Sequence, residues 1–180
     1  MGLFDYVSIL DKNVLEKVKC HYGHPQDMDL QTKDLEDSMD KFYLFNNALY
    51  HRGTGWGAGM EDPSVIREAP YTDKYGILKI PSYIKAVHFP ITDTIRVYAT
   101  CPYCNPVVFL RKDEDPSKMR KQGFLWGDGR TRVRPWVEYK LTFVEDVLIN
   151  VSPVKLETRE EVIEAYTKKG DWILQPDDEE

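Results

Sequence analysis

Cysteine is scarce in this chain: three residues in 180, at positions 20, 101 and 104. An odd count without a secretory leader argues against a disulfide framework and for a reducing compartment. Long apolar runs are also missing. The longest, around 105–110, is far too short to span the ~30 Å hydrocarbon core of a bilayer, so no membrane association is expected. Nor is there a surplus of positive charge. The 24 Lys and Arg stand against 30 Asp and Glu, a net charge of -6, which disfavours a general nucleic-acid binder, a class that usually carries a basic domain. The opening Met1-Gly2-Leu3-Phe4-Asp5-Tyr6 lacks the basic start, apolar stretch and small-residue cleavage site of a signal peptide. Gly2 makes no myristoylation signal, because Tyr6 stands where that motif wants Ser or Thr. A cytoplasmic protein is expected. Internal repeats are absent, and the glycine-rich stretch 53–59 lacks the Gly-Lys-Ser/Thr ending of a phosphate-binding loop.

What the chain does contain is an arrangement of those few cysteines. Cys20-His21-Tyr22-Gly23-His24 and Cys101-Pro102-Tyr103-Cys104 together offer three thiolates and an imidazole, the ligand set of a structural Cys3His zinc site. A Cys-x-x-Cys turn curls its backbone around the first sulfur and presents both to one ion. Cys20 and His24 can do the same around a turn holding Gly23 and Pro25, with His21 as the competing imidazole. A closed site of Cys20, His24, Cys101 and Cys104 has no open coordination position, so its zinc would stabilise rather than catalyse. Small buried hydrophobes plus surface histidines are the simpler alternative. A thioredoxin-like redox reading is disfavoured because no helix signal follows Cys104.

Periodicity outlines the rest. Loose alternation over Leu3–Leu10 predicts an opening strand. The run Asp27–Asp40 carries six carboxylates against one Lys33. Leu30–Lys33 reads as a short strand, and Leu35, Met39 and Phe42 then recur at helical spacing with Thr32 as a cap. Phe42–Tyr50 reads as strand with a turn at Asn46-Asn47. Strands follow at Ala86–Phe89, Thr94–Thr100 and Val107–Arg111. Thr131–Phe143 and Val147–Val151 form an expected hairpin turning at Glu145-Asp146. Thr158-Arg159-Glu160-Glu161 has the form of a capping box, Val162, Ile163 and Tyr166 supply an apolar helix face, and Gly170 is placed to end it. The predicted class is α+β, mostly β: an antiparallel sheet with a zinc-ribbon-like knuckle and a C-terminal helix. The expected organisation is a mainly β domain over 1–151, a helical extension over 152–174 packed on it, and an acidic disordered tail at 175–180.

Several short blocks resemble a known family. Met1-Gly2-Leu3-Phe4-Asp5, Leu30-Gln31-Thr32-Lys33-Asp34-Leu35, and Arg96-Val97-Tyr98 with Trp136-Val137-Glu138-Tyr139 look like small uncharacterised proteins carried by bacteriophages and prophages. Members of that family open on a Met-Gly-Met-Phe-Asp type sequence and carry a Phe-Gln-Thr-Lys-Asp type block. Many have a Cys-x-x-Cys knuckle before that block and another after a mid-chain strand. The similarity is scattered over about a quarter of the chain, and here the second cysteine of the first knuckle gives way to the His21/His24 neighbourhood. The resemblance implies phage origin and a zinc-ribbon-like β core; it assigns no activity.

Other residues invite binding chemistry. Arg130, Arg132 and Arg134 alternate, so a strand would project them from one face, with Phe124, Trp126 and Trp136 nearby and Lys118, Arg120 and Lys121 before them. Arginines beside aromatics can pair with phosphates and stack on bases; pairing with this protein's own carboxylates is the plainer reading. Trp56 sits in the glycine-rich stretch, where it suits a ligand or an interface; a merely flexible loop is the plainer reading. Asp34, Glu36, Asp37 and Asp40 invite an acid/base or metal reading, but a solvated helix face accounts for them. His51 and His88 have no partner identifiable in sequence, and no nucleophilic catalytic set is visible. The expectation is a non-enzymatic phage accessory protein in the host cytoplasm that binds a host macromolecule, most simply a host protein, with inhibition of a host defence system as one such role. A nucleotide- or nucleic-acid-binding module built on Trp126, Arg130, Arg132, Arg134 and Trp136 is the alternative.

Overall fold

The computed structural model describes residues 3–27, 29–52, 70–72, 74–79, 85–111 and 130–175. Trp56 and its glycine-rich stretch, the basic and aromatic residues from Lys118 to Trp126, and residues 176–180 lie outside the described residues. The elements in chain order are β1 (Asp5–Ile9), α1 (Lys12–Leu15), β2 (Leu30–Thr32), β3 (Lys41–Phe45), β4 (Ala48–His51), β5 (Tyr71–Thr72), β6 (Leu78–Lys79) and β7 (Lys85–His88). There follow β8 (Thr94–Thr100), β9 (Val107–Arg111), β10 (Arg130–Val133), β11 (Trp136–Val144), β12 (Val147–Leu156), α2 (Arg159–Lys168) and β13 (Trp172–Leu174).

A ten-stranded sheet runs in the order β12-β11-β8-β2-β1-β3-β4-β7-β6-β5, and β10-β9-β13 form a second, three-stranded sheet. Pairing is antiparallel except where β3 lies parallel to β1. The period-2 side-chain alternation of strands explains which residues go inside. Along β11, Val137, Tyr139, Leu141 and Phe143 are buried while Glu138, Lys140 and Thr142 are only partly covered. They join Val7, Ile9, Leu30, Phe42, Leu44, Leu49, Ile95 and Val97 in one core, with Val14 of α1 and Val18 packed against it. A smaller cluster of Val107, Phe109 and Val162 lies between β9 and α2, flanked by Val133, Ile163, Tyr166, Trp172 and Leu174. The protein is thus mostly β, with a large, predominantly antiparallel sheet and a C-terminal helix. Among the described residues no helix is long and apolar enough to cross a membrane.

The helix expected over Leu35–Phe42 does not form. Thr32 belongs to β2, and the chain loops irregularly from 33 to 40 before β3. The cause is Asp5, fully buried on the inward face of β1. Its carboxylate accepts the backbone N–H groups of Glu36 (2.7 Å), Asp37 (2.6 Å), Ser38 (3.0 Å) and Asp40 (3.0 Å). Successive N–H groups turned onto one anion make a nest, and Asp37 and Met39 take φ of 59° and 63° to form it. Those angles lie outside right-handed helix space.

The long strand expected over Thr131–Phe143 is two strands in two sheets. Pro135 has no N–H to donate to a ladder; its carbonyl instead accepts from Cys101 N–H at 2.9 Å, and the chain passes there from β10 into β11. The Glu145-Asp146 turn forms as expected, with φ of 48° and 69°, and β12 continues beyond Val151 to Leu156. Thr158 caps α2 by accepting Glu161 N–H at 3.2 Å, and Gly170 follows the helix at φ 74°. Some short elements carried no expectation, α1 and β13 among them. α1, at four residues, is too short to show periodicity, and β13 is a three-residue strand added to the edge of β9.

Candidate metal centre

The first knuckle is a tight turn. Cys20 N–H donates to His24 O at 3.0 Å, Gly23 N–H to Cys20 O at 3.0 Å, and Gln26 N–H to Val18 O at 3.0 Å. Gly23 sits at φ 87°, a conformation that glycine reaches without steric cost. The second knuckle, Cys101–Cys104, is the connection between β8 in the large sheet and β9 in the small one. Two turns 75 or more residues apart therefore meet where the two sheets join.

They bring four ligand atoms together. His24 Nδ1 lies 3.3 Å from Cys20 Sγ, 3.4 Å from Cys104 Sγ and 3.8 Å from Cys101 Sγ, and Cys20 Sγ lies 3.7 Å from Cys104 Sγ. All four fall within 4.8 Å of one another. The three cysteines are buried and unbridged. Of the two competing imidazoles, His24 enters the cluster; His21 is exposed and packs edge-on against Tyr22 at 5.1 Å. The set can hold a metal ion.

Its surroundings orient the ligands. Gln26, almost fully buried, donates from Nε2 to Cys101 Sγ (3.3 Å) and to His24 O (3.0 Å). Tyr139 of β11 donates its hydroxyl to Lys19 O (2.6 Å) and accepts from Lys19 N–H (3.0 Å). Tyr103 donates to Asp27 Oδ1 at 2.5 Å, tying one knuckle to the other. Arg159 N–H at the start of α2 donates to Tyr22 Oη at 2.7 Å. Sequence gave no signal for Gln26: a lone polar residue after a turn reads as exposed.

Thiol ionisation is divided unequally. Burial works against a Cys101 thiolate, but the Gln26 amide and the backbone N–H groups of Tyr103 and Cys104 outweigh it, holding that thiol below its usual range. Cys104 is pushed up to about 12 by burial and by the neighbouring sulfurs of Cys101 and Cys20. Three thiolates at this spacing repel one another unless a cation sits among them. A cleft of about 380 Å³, lined by Tyr22, His24, Cys104, Asn105, Arg159 and Glu160, opens beside the cluster.

The remaining sequence-predicted residues are dispersed. Arg130 and Arg132 are exposed on alternate positions of β10, as expected of a strand. Arg134 donates from Nε to Cys104 O at 3.2 Å, so it braces the second knuckle. Trp136 belongs to the other sheet, where it stacks on Tyr98 (centroids 5.2 Å, planes 20° apart) and donates from Nε1 to Glu138 at 3.3 Å. Trp56 and Trp126 lie outside the described residues. No family model matches the chain, and neither curated proteins nor solved structures yield a match.

Proposed function

We propose that Cys20, His24, Cys101 and Cys104 hold one structural zinc ion, and that the protein acts by binding a macromolecule on a scaffold which that ion clasps together. The observation that carries the reading is the spacing of the ligand atoms. Tetrahedral zinc, with bonds of about 2.3 Å to sulfur and 2.0–2.1 Å to nitrogen, separates sulfurs by about 3.8 Å and sulfur from nitrogen by about 3.5 Å. The sulfurs of Cys20 and Cys104 are 3.7 Å apart, and the three S···Nδ1 distances are 3.3, 3.4 and 3.8 Å. Four protein ligands fill a tetrahedron, so the ion builds the fold and offers no position to a substrate.

A phage accessory role with a host protein as partner follows from the resemblance of the sequence blocks and from the acidic balance of the chain. Affinity capture from host extract, with retained proteins and nucleic acids both analysed, tests it. The reading expects a discrete protein that stays bound at high salt. Capture of nucleic acid alone, released steeply by salt and lost when Arg130, Arg132 and Arg134 are all changed to Ala, favours the nucleic-acid alternative instead.

A further inference from the structure

Away from the clasp, loop 33–40 and β4 bring a second set of ligand atoms together. His51 Nε2 lies 2.7 Å from Asp40 Oδ2 and 3.7 Å from Glu36 Oε2, and one ligand atom from each residue falls within 4.8 Å of the others. These distances straddle the separation of about 3 Å that adjacent ligands adopt around an ion bonded at about 2.1 Å. Asp40 is not on a solvated face as its sequence neighbourhood suggests. Its side chain is only 5% exposed, and Oδ1 is buried with no hydrogen-bond partner. Its other oxygen, Oδ2, is the one at hydrogen-bond distance from His51; a buried carboxylate oxygen left unsatisfied is costly, and an ion bound by both oxygens of Asp40 would satisfy it.

The His51 ring and the backbone of Asp40 and Glu36 are held in place from outside the cluster. The His51 ring stacks on Phe42 (4.7 Å, 19°) and meets the edge of Phe89 (6.0 Å). Asp40 is fixed at both backbone groups: its N–H donates to Asp5 Oδ1 at 3.0 Å and its carbonyl accepts Tyr6 N–H at 2.9 Å. Glu36 N–H is held by the same Asp5 at 2.7 Å. Two carboxylates, those of Glu36 and Asp40, are thereby set against one imidazole. The nearby ammonium of Lys41 is spent on Asp29 at 3.2 Å, and that of Lys33 lies over the Phe4 ring at 4.9 Å.

We propose that Glu36, Asp40 and His51 form a second metal site, for a divalent first-row ion that accepts mixed oxygen and nitrogen ligands. Unlike the clasp, it has three protein ligands and is reached by solvent, with the Glu36 side chain 45% and the His51 side chain 25% exposed. The ion keeps at least one position for water and exchanges freely. The site shares no residue with the clasp and stands or falls separately from it.

Mn2+ is the probe, because this hard ion prefers carboxylate and imidazole over thiolate and so avoids the cysteines. Titration of the purified full-length chain, followed by loss of the free Mn2+ electron paramagnetic resonance signal, is expected to show one saturable equivalent. Glu36→Gln, an exposed change that leaves the fold intact, weakens that binding by about tenfold or more, and His51→Gln abolishes it; Cys104→Ser leaves it unchanged. Circular dichroism of each variant verifies folding. Absence of saturable uptake by the wild-type chain, or wild-type affinity in both Glu36→Gln and His51→Gln, overturns the proposal.

Discussion

Gln26 supplies no charge and no ligand atom to the candidate metal centre, yet its amide N–H groups reach both Cys101 Sγ and the His24 carbonyl. It holds one ligand from each knuckle in register and favours the thiolate of Cys101. Groups of this kind around a metal typically contribute 10–100-fold in affinity. Gln26→Ala is therefore expected to weaken zinc binding by about 10–100-fold in competition with a chromophoric chelator; unchanged affinity would remove Gln26 from the account. Asp5 works similarly on the other loop. Asp5→Asn replaces a charged acceptor of four backbone N–H groups by a neutral one, and a loss of about 1.5–3 kcal/mol is expected from urea unfolding. The signal for Asp5 was present in the sequence, since it shares the inward parity of Val7 and Ile9 in β1. A carboxylate on that parity must find donors, but only the folded chain shows that it finds them at residues 36–40.

At the scale of elements, turns with strong local chemistry were legible and long-range ones were not. Asn46-Asn47 and Glu145-Asp146 both adopt positive φ at both central residues, the geometry of the tight turns that match the strand twist. Asp11 supports the first by accepting N–H from Asn46 (2.8 Å) and Asn47 (3.0 Å), while Asp146 accepts Ile91 N–H at 2.7 Å. Glu145 lacks the local side-chain compensation that makes Asn tolerable in this region. Glu145→Asn is accordingly expected to stabilise the protein by about 0.5–1 kcal/mol, read as a higher urea midpoint; a lower midpoint would contradict the turn assignment. The helix expected at Leu35–Phe42 failed for the opposite reason. Its apolar spacing was real, but a buried carboxylate from β1 took its N–H groups. The division of 131–143 between two sheets turned on Pro135, visible in the sequence as a ladder break but silent about which sheet each half would join.

For the whole molecule, the clasp joins the two sheets and, through Tyr22 and Arg159, the start of α2. The two halves of the cluster were themselves legible as two short-spaced motifs. Which histidine completes the set was not, because His21 and His24 differ only in how the turn aims them. Metal uptake must also carry a pH signature. With Cys104 pushed up to about 12, chiefly by burial, its thiol is protonated at neutral pH in the absence of metal, and binding displaces that proton. Apparent zinc affinity should fall by about tenfold or more for each unit that pH drops below neutrality, because each displaced proton contributes one such factor. Affinity that is flat with pH, with no proton release into weak buffer, would contradict thiolate ligation.

Elemental analysis of the dialysed chain, paired with thermal unfolding before and after chelation, tests the clasp most directly. Structural zinc contributes folding free energy outright. One tightly held equivalent of zinc is expected, lost in Cys20→Ser and Cys104→Ser, with a marked drop in Tm once chelator removes it. Less than about half an equivalent, or a Tm indifferent to chelation, would contradict that expectation.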